Sequence, residues 1–368
     1  MVESGRQPIV LVSEHINSPR YFLSEDASAV EPRLDYREIA RKVDGEIYGL
    51  DESALGGLTL RFERMLKLDL SEALLAYSRI GNSNLILSTS EKTGLPMAAL
   101  WALSRQDNPH VLISHHISSP NKKRLFSIWP LYRSFSKIIF VSRSQARYAT
   151  EILGLPQDRV KFTFDKVDHH FFAPQNRTPE DFILSVGNEE RDYSTLISAL
   201  SGSNIRLVIV ASSPWSKFRS DSSPKANVTI LDRITYLELR ELYARARMVV
   251  LPLNDVDFAA GANAALEAMA MAKPLILLDS HGLEGYVSHD QTGWILPGKN
   301  PAALREAILM LWDDSASRAR LGANARQAVL DQMNMQIYTE KIAETVQGCL
   351  IEFNLEISKA ASMVNVHR

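Results

Sequence analysis

Gly261-Ala262-Asn263-Ala264-Ala265-Leu266-Glu267-Ala268-Met269-Ala270-Met271-Ala272-Lys273-Pro274-Leu275-Ile276 decides the fold. It reads as a helix opened by Gly and Asn, stopped at Lys273-Pro274, and followed by an apolar strand, Leu275 to Leu278. Asn263 is expected to be the N-cap, because its side-chain oxygen can accept from an orphan N–H of the first turn. Gly261 carries no Cβ and lets a ligand approach the backbone. With Ala262 and Asn263 it would offer N–H groups and a partial positive charge that suit a phosphate. Glu267 follows one turn in. Taken alone, its carboxylate could equally do no more than complement the helix dipole, worth a few tenths to ~1 kcal/mol.

Outward from this stretch, short apolar runs alternate with helical patterns along the whole chain. The first series of strand candidates is 9–12, 85–88, 111–114, 138–141 and 161–164; the second is 182–186, 206–211, 228–231, 248–253, 275–278 and 294–296. The runs are rich in Ile, Val and Leu and mostly do not alternate, as expected of strands buried on both faces. Helical patterns between them include 60–79, 96–104, 144–153, 193–200 and 237–246. Such alternation implies parallel sheets flanked by helices. Its occurrence twice implies an α/β chain of two Rossmann-like, doubly wound domains facing a central cleft. The Pro-containing stretch 168–179 is the natural linker. We therefore expect an N-terminal domain over 1–170, a second domain over 171–335, and a last helical segment over 336–368.

Composition narrows the function classes. The 368 residues are 45% apolar and 23% charged, which suits a folded globular protein. A net charge of -2 gives no argument for nucleic acid. One cysteine, Cys349, allows no intrachain disulfide and fits a reducing cytosol. The N-terminus shows no long apolar core of a signal peptide, and no run approaches the ~20 apolar residues of a membrane span. No Walker A, Gly-x-Gly-x-x-Gly or Gly-x-Ser-x-Gly sequence is present, which argues against a P-loop ATPase, a dehydrogenase and a serine hydrolase.

Several further pieces occur in a fixed order: Phe140-Val141-Ser142-Arg143-Ser144-Gln145, Leu153-Gly154-Leu155-Pro156, Val167-Asp168-His169-His170-Phe171-Phe172-Ala173-Pro174, Gln291-Thr292-Gly293-Trp294 and Leu321-Gly322-Ala323-Asn324. Together with 261–276 they resemble the retaining GT-B glycosyltransferases of family 4, the group 1 type. The donor helix of that family reads Glu, seven residues, Glu, then Ala-Met-Ala-x-Gly-x-Pro-Val-Ile. The resemblance implies that Glu267, at the second glutamate, holds the ribose of a nucleotide-diphosphate sugar. The first glutamate, which contacts the transferred sugar, is replaced by Ala259. The loop after Val186 should grip the diphosphate; Asn188 stands in the family's Arg slot and Arg191 is its cation. A guanidinium can take phosphate bidentately. The alternative for Arg191 is a surface ion pair with Glu189, Glu190 or Asp192.

His115-His116 follows a first-domain strand, where the family has a histidine near the transferred sugar; two structural histidines are the other reading. Asp257 is the acid nearest the vacant slot at 259. The loop 13–20 lacks the family's glycines, and its Glu14, His15, Asn17 and Arg20 could line an acceptor pocket. His169-His170 with Asp165 and Asp168 has no defined metal-ligand spacing and reads as linker. Lys122, Lys123 and Arg124 precede Phe126 and Trp129, a mixture that suits either peripheral contact with an anionic membrane face or a basic-ended helix packing its aromatics into the domain. The resemblance implies sugar transfer to a glycan or lipid-linked hydroxyl, retaining and metal-independent, with no cofactor beyond the donor. The missing glutamate leaves a second reading open: a GT-B-like protein that binds nucleotide or partner and catalyses weakly.

Overall fold

The computed structural model describes residues 7–15, 29–50, 69–79, 85–104, 108–211 and 227–366. The first sheet contains β1 (Ile9–His15), β2 (Glu46–Leu50), β3 (Ile86–Ser88), β4 (His110–Ser114), β5 (Lys137–Phe140) and β6 (Val160–Phe162), in the order β2-β1-β3-β4-β5-β6. The second contains β7 (Glu180–Val186), β8 (Arg206–Val210), β9 (Val228–Leu231), β10 (Ala246–Leu251), β11 (Leu275–Leu278) and β12 (Trp294–Leu296), in the order β12-β11-β10-β7-β8-β9. Every pairing between these strands is parallel. Strand order therefore reverses at β1/β3 in one sheet and at β7/β10 in the other. Ligands of doubly wound sheets bind at the carboxyl ends of strands beside such reversals. The loops after β7 and β10 are thus the places to look.

Burial explains why the strands read as continuous apolar runs. Along β4 and β5, Val111, Ile113 and Ile139 enter one core, while Leu112, Ile138 and Phe140 enter the core on the opposite face. The second sheet divides likewise: Leu184, Val249 and Leu277 lie on one side, Ile183, Val250 and Ile276 on the other. This is the period-two alternation of a strand with helices over both faces. β2 was not among the expected strands. Its Glu46-Ile47-Tyr48-Gly49-Leu50 lies at a sheet edge, where one charged and one small residue are tolerated and no apolar run forms. Of the helix expected over 60–79, Leu70–Arg79 is observed, and the part before residue 69 lies outside the described residues.

The last helix, Met335–Val366, places Tyr338, Ile342, Val346 and Cys349 in the first-domain core with Val10, Ile39 and Val111. Burial pushes the Cys349 thiol up to about 11, so it is a packing group rather than a nucleophile. The segment between the domains is fixed by charge: Arg33 grips Asp168 through two guanidinium nitrogens at 3.0 and 2.9 Å. Lys166 sits 2.9 Å from Asp35 and 3.2 Å from Asp165.

The helix Ala262–Ala270 ends in a left-handed turn. Lys273 N donates to Ala268 O at 2.9 Å and Ala272 N to Met269 O at 3.0 Å, with Ala272 at φ +53°. Glycine is the usual occupant of that position, since a Cβ is unfavourable there. Ala272→Gly relieves about 1–2 kcal/mol of backbone strain. It returns about 0.4–1 kcal/mol through the looser unfolded chain. We expect net stabilisation of roughly 0.5–1 kcal/mol, read as a higher melting temperature of the second domain; an unchanged or lower value would contradict this account of the turn. Gly322 explains itself nearby: a Cβ there would lie 2.2 Å from Ala272 O, so the late helix crosses at backbone contact.

Candidate active site

A cleft of about 770 Å³ opens between the carboxyl ends of the two sheets. Its second-domain wall is made by the loop after β7, the loop after β10 and the start of the helix Ala262–Ala270. Gly187, Asn188, Arg191, Gly261, Asn263 and Glu267 all line it, as does Ala262.

Gly261 has φ +91° and serves as the N-cap; the helix begins at Ala262 with no side-chain cap. This corrects the expectation for Asn263, which occupies the second helical position with an exposed side chain and cannot reach an N–H of its own first turn. Gly261 is required twice over, by its positive φ and by space: a Cβ would lie 2.8 Å from Leu253 and 3.2 Å from Arg191 Nη1. Ala262 N donates to Ala259 O at 3.2 Å, whereas the amides of Asn263 and Ala264 have no backbone partner among the described residues. Two N–H groups of a helix start therefore remain for a ligand.

Arg191 lies under this opening. Its Nε donates to Val186 O at 3.1 Å and its Nη1 to Glu189 O at 2.7 Å. A Cβ at Gly187 would meet its Nη2 at 2.6 Å, so the two glycines, Gly187 and Gly261, leave room for the guanidinium. The acids beside it are otherwise engaged: Glu190 accepts from Asn254, and Asp192 caps the helix Tyr193–Ala199 through Thr195 N at 3.0 Å. Arg191 bonds the Glu189 carbonyl rather than its carboxylate. Burial lowers its pKa, yet a guanidinium stays charged at neutral pH, so a desolvated cation without a carboxylate faces the cleft among the described residues. Asn188 donates through Nδ2 to Ala211 O at 2.5 Å, and its Oδ1 is buried with no partner.

Glu267 lies one turn along the helix. Burial pushes its carboxyl up to about 7, opposed by Tyr243, whose hydroxyl donates to Oε2 at 2.9 Å.

The facing wall comes from the first domain. His115 and His116 line the cleft just after β4. Both backbone amides donate to Glu91 Oε1, at 3.1 and 2.7 Å, and Ser114 Oγ donates to the same oxygen at 2.9 Å. Burial works against the Glu91 charge, but Lys122, His115 and these N–H groups bring its pKa down to about 2. His116 stacks on Phe258 across the domain boundary at 4.0 Å and 11°. Burial, then Lys122, lowers the His116 pKa, so the ring is neutral near pH 7 and its 3.8 Å approach to Asp257 is not an ion pair there.

Asp257 is half-exposed and does not line the cleft. Its Oδ2 accepts from Ser118 Oγ at 2.6 Å, and its carbonyl accepts from Ser144 Oγ at 2.5 Å and Gln145 Nε2 at 2.8 Å. It fastens the loop after β10 to the first domain through Oδ2 and its carbonyl, while Oδ1 lies 3.8 Å from Nε2 of the cleft-lining His116. Lys122 also departs from expectation. Its ammonium turns inward, 2.7 Å from His116 O and 3.4 Å from Glu91, and only 22% of its side chain is exposed. Lys123 and Arg124 are exposed on the same helix, Pro120–Ile128. Of the loop 13–20, Asn17, Arg20 and the side chains of Glu14 and His15 lie outside the described residues. Near His169-His170, Asp168 holds Arg33 and Asp165 holds Lys166.

Glu91, Tyr243 and Phe258 were not singled out in sequence. Lys166 lines the cleft with Asp165.

Residues 167–328, less than half of the chain, match the family model described as glycosyl transferases group 1. Among curated proteins, the chain is 24% identical over 254 residues to O-antigen chain mannosyltransferase C of Escherichia coli, covering 63% of this chain and 67% of that protein. It is 29% identical over 264 residues to the D-inositol 3-phosphate glycosyltransferase of Pseudarthrobacter chlorophenolicus, covering 63% and 62%. The matched part spans between about half and two thirds of the length of such relatives. Among solved structures, sucrose-phosphate synthase of Thermosynechococcus elongatus superposes with a TM-score of 0.71 at 19% identity, covering 94% of this chain and 100% of that one. Anabaena HepE, solved with UDP and glucose, superposes with a TM-score of 0.67 at 15% identity, covering 93% and 99%. The fold is GT-B, and the second domain carries the sequence pattern of the group 1 glycosyl transferases.

Proposed function

We propose that this chain transfers a sugar from a nucleotide-diphosphate sugar to an acceptor hydroxyl, with retention at the anomeric carbon, as a family 4 type enzyme. One observation carries the reading: Arg191, the two unpaired amides at the start of the helix Ala262–Ala270, and Glu267 lie on one wall of a single cleft. The relatives that are glycosyltransferases and the HepE complex with UDP support the donor class.

In this reading the diphosphate rests on the helix start and Arg191, and the ribose hydroxyls donate to Glu267. The sugar lies toward His115, His116 and the Phe258-Ala259-Ala260 edge. The bond between the anomeric carbon and the phosphate oxygen breaks, and its electron pair stays with the diphosphate. Arg191 and the amides stabilise that charge where it develops. The acceptor oxygen bonds the anomeric carbon on the same face, and its proton passes to the departing phosphate oxygen. No protein base is required, and the reading assigns no metal to the site. With Ala259 in place of a carboxylate, hydrogen bonds from His115 or His116 take over the sugar hydroxyls.

Calorimetry with UDP, GDP and ADP and their sugar conjugates tests the site. One nucleotide should bind in the micromolar range or tighter, and its nucleoside much more weakly. No binding of any of them would remove the reading.

The acceptor class we propose is a glycan or a lipid-linked hydroxyl, reached from the cytoplasmic side. Lys123 and Arg124 are exposed beside Ile128, which is 86% exposed, and this face supports peripheral contact with anionic lipid. Among the described residues no helix is long and apolar enough to cross a membrane. Sedimentation with phosphatidylglycerol vesicles at low salt should carry the protein down, and added salt should release it, because screening weakens the attraction. A protein that stays in the supernatant at low salt would show this face to be ordinary surface.

A further inference from the structure

Glu267 is held from behind. Tyr243, on the helix Tyr236–Arg245, is fully buried, with its ring packed edge-on against Phe172 at 6.1 Å. Its hydroxyl lies 2.9 Å from Glu267 Oε2 and 3.3 Å from Ala264 O. A phenol has one proton, and the nearer, charged acceptor takes it. Glu267 Oε1 receives no hydrogen bond from the described residues and is not sealed from solvent, while the residue lines the cleft. One carboxylate oxygen is thus occupied by protein and the other is left to the cleft.

We propose that Tyr243 is a positioning residue for nucleotide binding: its hydroxyl holds the Glu267 carboxylate by Oε2 so that Oε1 accepts from a vicinal diol in the cleft. The inference rests on the reading of Glu267 as the ribose contact. A carboxylate in this setting has to be charged to accept from both Tyr243 and the ligand. Burial drives it toward the neutral acid, and Tyr243 is what opposes this. The other ionisable groups facing the pair are Arg191 and Tyr193, which act on Tyr243 from the loop after β7 and the helix that follows. Among the described residues, no charged neighbour shifts Glu267 itself. Affinity for the nucleotide should therefore rise with pH through about 7, the range in which the carboxyl ionises. Without the Tyr243 hydroxyl that range moves upward.

The test compares the parent protein with Tyr243→Phe and Glu267→Gln, titrating UDP, GDP and ADP by calorimetry between pH 5.5 and 9. Tyr243→Phe keeps the ring and its packing. It should bind about tenfold more weakly at pH 7, with the midpoint of its affinity profile about one unit higher, and the gap should narrow at pH 9. Ionisation of the nucleotide phosphate is common to all three proteins and cancels in the comparison. Carbon-13 NMR of glutamate-labelled protein, with the Glu267 carboxyl identified by its absence in Glu267→Gln, should show the same upward shift without any ligand. A uniform loss of affinity at every pH with an unmoved midpoint would mean that Tyr243 is only packing, and would overturn the proposal. An unmoved Glu267 resonance in Tyr243→Phe would overturn it as well. If Glu267→Gln binds as tightly as the parent at all pH values, or if none of the three nucleotides binds, the ribose reading fails and takes this inference with it. If Glu267→Gln loses binding while Tyr243→Phe does not, only the inference fails.

Discussion

Glu267→Ala is expected to weaken nucleotide binding at pH 8 by about 10- to 150-fold, while the far-ultraviolet spectrum and the melting temperature stay close to the parent. The range is the ~1.5–3 kcal/mol of a hydrogen bond to a charged group. Two physical features put the effect on binding rather than folding. The carboxylate is buried and destabilised in the empty protein, so its removal relieves a desolvation cost. Its one hydrogen-bond partner among the described residues, Tyr243, has Ala264 O within 3.3 Å as a second acceptor. Unchanged calorimetric affinity for the best nucleotide would make Glu267 a structural carboxylate and remove it from the site.

Arg191→Ala should discriminate between the parts of the ligand. Loss of a desolvated cation that faces phosphate costs about 2–5 kcal/mol, roughly 30-fold or more in affinity for a nucleoside diphosphate. The corresponding nucleoside, which has no phosphate, should lose only a few-fold. The control is Arg191→Lys. It keeps the charge but cannot bond both Val186 O and Glu189 O in the guanidinium's fork, so it should recover only part of the loss. Equal losses for diphosphate and nucleoside would show that Arg191 shapes the loop after β7 without touching phosphate.

The fold was legible where burial is two-sided. Runs such as Leu275–Leu278 and Phe182–Val186 are apolar throughout because helices cover both faces of their sheets, and they mark strands without help from any motif. The edge strand Glu46–Leu50 escaped notice because an edge makes no such demand. The second-domain wall of the cleft was legible in so far as it is local: Arg191 and Glu267, which both line it, each stand on a short segment whose loop-to-helix geometry is written in neighbouring residues. What was not legible depends on distant pairing. Tyr243 reaches Glu267 across 24 positions and Glu91 reaches His116 across 25, and neither pairing leaves a spacing that a sequence can show. The same limit explains Asp257 and Lys122. Each has the charge expected for its assigned role, but each is also held by a partner that its spacing does not reveal: Ser118 for Asp257, the His116 carbonyl for Lys122. Asn263 failed for a smaller reason: a glycine that can adopt positive φ starts the helix two residues earlier, and a polar side chain at the second helical position has no orphan N–H to reach.

The measurement closest to the central claim is donor turnover by the parent protein, followed by proton NMR on a panel of UDP-, GDP- and ADP-sugars with simple glycan and lipid-linked acceptors. One donor should be consumed, its nucleoside diphosphate should appear in equal amount, and the new linkage should show the anomeric configuration of the donor. Glu267→Ala and Arg191→Ala should slow that reaction in line with their binding losses. A protein that binds a nucleotide tightly in this cleft yet consumes no donor across the panel would contradict the account and identify the chain as a binding protein on a GT-B fold.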